Sequence, residues 1–456
     1  MSLSTLIYGL SGLIFAYFII YHLAYLLLNI LAVFRIHDME QSKILTDLPY
    51  LHSELEPPVS LLLASHDQAA DVVRATQALL QLDYGKFEVI VINDGSQDDS
   101  LQRLSAAFDL HPFPEAYRVQ LKTQTVKCIY RSTRYPHLRV LDKEFGGTAD
   151  ALNAGINASR YPLFCSVAVD GSMQPDSLQR LVMPFLNDNR VIASVAAARS
   201  ALQSASQRWP ALLQIVDNLR ARLFAPLGWS MLNSMLIAPA GMMLLRKEAV
   251  LAAGAYRHGA RNAGMELIVR MHRVMREKQR AYRIRFIAEP ICWQPVANNL
   301  AALQQASVQW QQGITDSLSK NMALMFSSHG GIPGRVAYPF LLLFEVLGPL
   351  IECLSYILLL AGLLCGLISW QACFAFLSVA IGLGILLSAS GLLLEEMSFH
   401  PYPKTGDIIA LVVTAIISNF GYRQLSSVWR SVALIGCWRK QRTDDLPEHI
   451  KPRQIN

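Results

Sequence analysis

Charge is what this sequence has least of. Only 16% of its 456 residues are Asp, Glu, Lys or Arg, against 52% hydrophobic residues, and the mean hydropathy is +0.29. That balance excludes a single soluble domain, and stretches such as 87–108 are too polar for a membrane bundle throughout, so a part-membrane, part-globular chain is expected. The net charge of +6 is small and its basic residues are scattered or lie beside apolar runs, which argues against nucleic acid as a partner. The seven cysteines form no CxxC pair and no His/Cys spacing suited to zinc; they read as buried thiols of a reducing compartment.

Residues 5–34 carry no charge at all, more than the roughly 20 residues needed to cross a bilayer. No basic start, short apolar core or small-residue cleavage site is present, so 1–36 is read as a retained transmembrane helix. Arg35 and Lys43 follow the run and nothing basic precedes it, which places the N-terminus outside and the next segment in the cytoplasm. A second apolar block fills 336–437. It reads as a short interfacial helix broken at Pro349, a span over about 350–368, a return over 372–394, and an interfacial or re-entrant pair over 407–436, where Arg423 and Arg430 interrupt the apolar pattern. The basic tail 438–456 is expected to stay inside.

The globular part, 45–335, opens with the apolar runs VSLLLAS (59–65) and FEVIVINDGS (87–96), separated by the helical pattern DVVRATQALLQL. Two continuous apolar strands around a helix mean parallel strands covered on both faces, with ligands at their carboxyl ends. Asp67 and Asp94 lie there. Residues 109–139, with Arg118, Lys122, Lys127, Arg131, Arg134 and Arg139, read as an inserted surface loop or membrane-facing ribbon, with phosphate binding as the alternative. RVLDKEFGGTADALNAG gives a strand, a Gly-Gly loop and a helix opening at Thr148 or Ala149; its N–H groups suit a diphosphate or an ordinary turn. SVAVDGSMQPDSL (166–178) runs a strand into Asp170 and a turn before a helix.

In this order, PPVSLLLASHD, FEVIVINDGSQDDSL, KEFGGTADALNAGINASRYPLFCSV, DGSMQPDSL and GAYRHGARNAGMELIVRMHR, followed by a Gln/Trp helix and apolar spans, resemble the membrane-integrated family 2 glycosyltransferases, the group of the cellulose, hyaluronan and poly-N-acetylglucosamine synthases. The resemblance implies an α/β, Rossmann-like GT-A domain in the cytoplasm between N- and C-terminal transmembrane helices. It implies a nucleotide-diphosphate sugar donor, a divalent cation, and a multi-pass protein of the bacterial inner membrane. Carried over by residue, the nucleoside contacts fall on His66, Asp67, Asp94 and Thr148. The cation motif Asp-x-Asp falls on Ala168 and Asp170, leaving Mg²⁺ or Mn²⁺ one of its two carboxylates. The general base and the Glu before it fall on Gly264 and Ala263, and the Gln-x-x-Arg-Trp motif on Ala306, Gln309 and Trp310, of which only the Trp remains. Trp310 and Glu266 stay as candidate acceptor or glycan contacts.

A positioned base alone gives about 10² to 10⁴ in rate, and here a cation ligand and a diphosphate-binding Arg are missing as well. The expectation is therefore a degenerate pseudoglycosyltransferase of exopolysaccharide synthesis or secretion. It would pair with or stabilise an active synthase or another subunit of that machine, or hold a glycan or UDP-sugar. The alternative is an unusual or metal-independent transferase in which Arg257, His258 or Arg261 replaces the cation's charge and His66 or Glu266 the base.

Overall fold

The computed structural model describes residues 3–46, 56–200, 208–238, 241–402 and 404–444. The first helix, α1 (Leu3–Thr46), continues without a break past the expected boundary at 36. Residues 37–44, between the expected anchor and globular part, are thus helical.

The globular part is built on β1 (Val59–Ser65), β2 (Phe87–Asp94), β3 (Leu110–Pro112), β4 (Val126–Ser132), β5 (Leu138–Lys143), β6 (Leu163–Val167), β7 (Ser172–Met173), β8 (Val191–Ala197), β9 (Arg199–Ser200), β10 (Gly241–Arg246), β11 (Arg283–Ile287) and β12 (Cys292–Gln294). Nine of these form one sheet in the order β11-β8-β10-β6-β1-β2-β5-β4-β3, and β7, β12 and β9 form a small second sheet. Strands β6, β1, β2 and β5 are parallel, so their carboxyl ends meet at one edge, while β10 runs antiparallel between β6 and β8. The run 109–139 is more than a surface loop: β3 and β4 extend the sheet antiparallel beyond β5. Its alternating basic residues concealed a strand whose one face is wet.

Helices α2 (Ala69–Leu80), α3 (Ser100–Phe108) and α5 (Ser177–Asn187) cover one face of the sheet; α2 buries Val72, Ala75, Thr76 and Leu79 on one stripe. The other face carries α4 (Thr148–Ala158), buried from Ala149 to Ala158. Small residues let it lie close on the strands: a Cβ on Gly155 would be 3.0 Å from Ile92 and 3.1 Å from Leu62. The chain continues through α6 (Arg208–Asn218), α7 (Ala225–Met231), α8 (Lys247–Ala252), α9 (Ala263–Glu277), α10 (Leu300–Ser319) and the short α11 (Ala323–Phe326) and α12 (Tyr338–Phe340). It ends in α13 (Gly348–Leu364), α14 (Trp370–Phe399), α15 (Thr405–Ile417) and α16 (Tyr422–Asp444).

Two helical stretches, Ser11–His37 and Trp370–Phe399, are each long and apolar enough to cross a membrane, and two bent pairs meet the same test when each is taken as a unit. Pro333–Val346 and Gly348–Leu364 meet at 46°, Thr405–Ile417 and Tyr422–Cys437 at 67°. The packing on the α4 face runs without interruption into these helices, through Tyr25, Leu28 and Ala32 of α1, Trp229 of α7 and Leu387 of α14. A buried ion pair, Arg199 to Glu395 at 2.8 Å, joins β9 to α14, and Arg430 to Glu345 and Arg423 to Glu352, both at 3.0 Å, tie α16 to the stretch Pro333–Val346 and to α13.

Candidate functional site

The carboxyl edge of the parallel strands brings together His66, Asp67, Asp94, Lys143 and Asp170, at the ends of β1, β2, β5 and β6. Asp94 closes β2 with its carboxylate turned inward, 3% exposed. Its Oδ1 accepts from Lys143 Nζ at 2.5 Å and from the Gly146 N–H at 3.0 Å; its Oδ2 accepts from the Gly147 N–H at 2.8 Å. Lys143 is fully buried and lies 2.7 Å from Asp150 Oδ2 as well. Two buried carboxylates sharing one ammonium are costly unless further donors complete the shell, and the two glycine N–H groups do so. Two expectations change here. Both oxygens of Asp94 are engaged inside the protein, and the Gly146 and Gly147 N–H groups serve the turn by donating to them. That turn needs its glycines: Gly147 has φ +84°, and a Cβ on Gly95 (φ +63°) would stand 2.6 Å from the Phe145 nitrogen.

Two loops interlock above this knot. Asp67, at φ +50°, accepts the Gln97 N–H at 2.7 Å, and Asp98 accepts the Ala69 N–H at 3.0 Å. Slight burial pushes the Asp98 carboxyl up, but hydrogen bonds from Ser100 and Ala69 prevail and hold it below its usual value. His66 donates Nδ1–H to the Asp94 carbonyl at 2.8 Å, leaving Nε2 3.4 Å from Asp67 Oδ2. Its ring lies 4.6 Å from that of Phe145, which is 60% exposed, so the pair forms an aromatic shelf open to solvent. Phe145 was not singled out in the sequence. Thr148 is exposed at the first turn of α4, within reach of the same edge.

Asp170 is exposed on the turn after β6, with no ion pair or hydrogen bond to its carboxylate among the described residues, while Ala168 is half-buried beside it. Among the described residues no three His, Cys, Asp or Glu side chains cluster in a way that could hold a metal ion by themselves. Mg²⁺ keeps several waters and binds through one or two carboxylates plus phosphate oxygens. Asp170 could therefore add one ligand to a cation already carried by a nucleotide; these residues do not form a cation site of their own.

The α9 terminus departs furthest from a catalytic arrangement. Asn262 caps the helix by accepting the Met265 N–H at 3.0 Å, so Ala263 and Gly264 occupy its first turn. A Cβ on Gly264 would lie 2.8 Å from the Met243 methyl, so a thioether from β10 fills the space a longer side chain would enter. Glu266, expected as an acceptor contact or stand-in base, is fully buried, bound by Arg270 at 2.8 Å and approached by Asn321 and Arg257 at 3.2 and 3.5 Å. It holds α9 together and meets no acceptor. The cations proposed to replace a metal are engaged too: Arg257 on Glu266, Arg261 on Gln312, and His258 at 3.7 Å from Asp150. On α10, Gln309 is exposed and Trp310 is half-buried, its ring against the main core.

An α/β sheet with its acidic residues on the carboxyl edge and helices on both faces is the GT-A arrangement. Residues 60–254 match the sequence model of the Glycosyl transferase family 2. It is similar to the poly-beta-1,6-N-acetyl-D-glucosamine synthase of Staphylococcus aureus (strain COL), 23% identical over 262 residues, 56% of this chain and 54% of that protein. It is also similar to the enzyme of the same name from Staphylococcus epidermidis, 22% identical over 269 residues, 58% of this chain and 55% of that protein. The chain thus spans about half the length of these relatives. A mannosyltransferase from Pyrobaculum calidifontis, solved with GDP-Man and Mn²⁺, shares the fold with a TM-score of 0.51 at 12% identity, covering 95% of this chain and all of that one.

Proposed function

We propose that this chain is a catalytically degenerate family 2 protein of exopolysaccharide synthesis, held in the bacterial inner membrane by several spans with its GT-A domain in the cytoplasm. In this reading it partners or stabilises an active synthase and keeps a nucleotide-sugar or glycan contact at the His66–Phe145 shelf. The proposed domain limits are an anchor over 1–36, a GT-A domain over 45–335, a membrane region over 336–437 and a cytoplasmic tail over 438–456.

One observation carries the proposal. At the edge where acids would act, the only exposed carboxylate without a protein partner among the candidate site residues is Asp170; Asp94, Asp150 and Glu266 are each buried against cations. An acid buried against a cation in that way is not within hydrogen-bond reach of an acceptor hydroxyl at the surface. Inverting transfer also needs a base within hydrogen-bond reach of the acceptor hydroxyl, and Gly264 with Met243 behind it offers none.

The test uses full-length protein purified into lipid nanodiscs and supplied with UDP-sugars, with and without Mn²⁺. Hydrolysis and glycan extension at the level of a protein-free blank are expected, unchanged by Asp170→Ala, together with co-purification of a second family 2 synthase from its native membranes. Extension that stops in Asp170→Ala would establish the active reading instead.

A further inference from the structure

A large cleft lies at the opposite end of α4 from this edge. It measures about 580 Å³ and runs between the insertion (115–120), the end of α4 with Ser159 and Arg160, and the start of α8. The 11 residues of α4, at about 1.5 Å each, put roughly 16 Å between it and Thr148. The cleft is a built feature. Asn157 fastens the insertion by accepting the N–H groups of Gln120 and Leu121, both at 3.0 Å, and donating to the Leu121 carbonyl at 2.8 Å, while Asp150 accepts the Gln124 N–H at 3.1 Å.

Its charge is unbalanced. Arg118, Arg160, Arg246 and Lys247 line it, with Glu115 and Glu248. Glu115 already binds Arg139 at 3.1 Å and also Arg160, and Glu248 lies 3.6 Å from Arg280. Arg118 is exposed and forms no ion pair or hydrogen bond among the described residues. Arg246 donates only to the Val191 carbonyl and stands over the Phe185 ring. Lys247 Nζ donates to the Ser159 carbonyl and hydroxyl, at 2.8 and 3.0 Å, and forms no ion pair. Burial pulls its pKa below the ordinary lysine value, a charge that an anion would relieve. Uncompensated cations in a concave, partly apolar space concentrate field and attract anions. Tyr117, Pro162 and Leu251 supply the apolar wall. Mixed polar and apolar clefts of this volume suit ligands of a few hundred daltons.

We propose that this cleft binds a phosphorylated small molecule, a phosphate or diphosphate ester, with Arg118, Arg160 and Lys247 on the phosphate oxygens and Tyr117 against the organic group. The site is separate from the donor edge and does not depend on whether that edge is active. The insertion that extends the sheet thereby also forms one wall of a ligand site.

Full-length protein in zwitterionic nanodiscs is titrated with inorganic pyrophosphate, with UDP and with a hexose phosphate, by calorimetry and by hydrogen exchange of the peptides 115–124 and 157–162. At least one probe is expected to bind and to protect both peptides. Arg118→Ala, at an exposed position that folding does not need, should weaken binding about tenfold or more, the effect of losing one charge-assisted contact. Lys247→Gln should act in the same direction, and His66→Ala at the far edge should leave this protection intact. Protection by UDP alone identifies a nucleotide, and by the hexose phosphate alone a sugar phosphate. Binding of none of the three, or protection confined to 66–68 and 94–97 and unaffected by Arg118→Ala, overturns the proposal.

Discussion

Lys143 is the residue on which the donor edge turns. It reaches Asp94 at 2.5 Å and Asp150 at 2.7 Å from a fully buried position, so it closes the strand end and pins the first turn of α4 together. Removing one member of a buried ionic cluster leaves charge without a partner, at about 3 to 5 kcal/mol. Lys143→Met is therefore expected to lower the apparent unfolding midpoint markedly in detergent. Lys143→Met combined with Asp150→Asn, which removes one of the orphaned charges, should recover part of the loss. Equal midpoints for wild type and Lys143→Met would show that the cluster does not hold the edge. The arrangement was hidden in the sequence because Asp94 and Lys143 are 49 positions apart and neither neighbourhood marks its side chain as inward. The spacing from Lys143 to Asp150, a strand end followed by an acid in the first turn of a helix, was the one available signal. Glu266 misled for a related reason: an acid next to a vacant base position reads as chemistry until Arg270, one turn on, is seen to bind it.

Among the elements, the crossing of α1 and α7 shows how the anchor is fixed to the domain. A Cβ on Gly228 would lie 2.6 Å from the Leu28 carbonyl oxygen, backbone that has no rotamer to yield, so the two helices touch only because residue 228 has no side chain. Gly228→Val should cost about 1 to 3 kcal/mol of overpacking. It should appear as earlier thermal aggregation on size-exclusion chromatography and faster proteolysis near α7. Gly12→Ala, where nothing lies within 4 Å, should match wild type. An unaffected Gly228→Val would mean that α1 does not bear on the domain. The central strands and α2 were legible because their apolar runs and period stand in the sequence itself. Strands β3 and β4 were not, since an edge strand with one wet face carries basic residues that look like loop.

At the scale of the whole molecule, the membrane and globular parts share one core and the buried Arg199–Glu395 pair, while Arg423–Glu352 and Arg430–Glu345 tie the C-terminal helices to one another. Ionised groups among apolar helices are tolerated only when paired, which is why each Arg that interrupts the apolar pattern meets a Glu from another helix. The proposed orientation puts the link between α13 and α14 outside and the sheet inside. Cys365 is exposed in that link. A membrane-impermeant maleimide added to intact spheroplasts should label the protein through Cys365 alone, and Cys365→Ser should abolish that label. Labelling that appears only after permeabilisation would reverse the orientation.

The sequence by itself determined the family scaffold, the apolar stretches and the vacancies at Ala168, Gly264 and Gln309, because each depends on local composition or on a side chain being too short to act. Tertiary structure alone decided which of the remaining acids are open. Burial and pairing are set by groups brought together from distant strands and helices, so Asp94, Asp150 and Glu266 close on Lys143 and Arg270 while Asp170 stays in water. The same long-range folding leaves Arg118, Arg246 and Lys247 facing one cleft whose two carboxylates, Glu115 and Glu248, lie closest to other arginines.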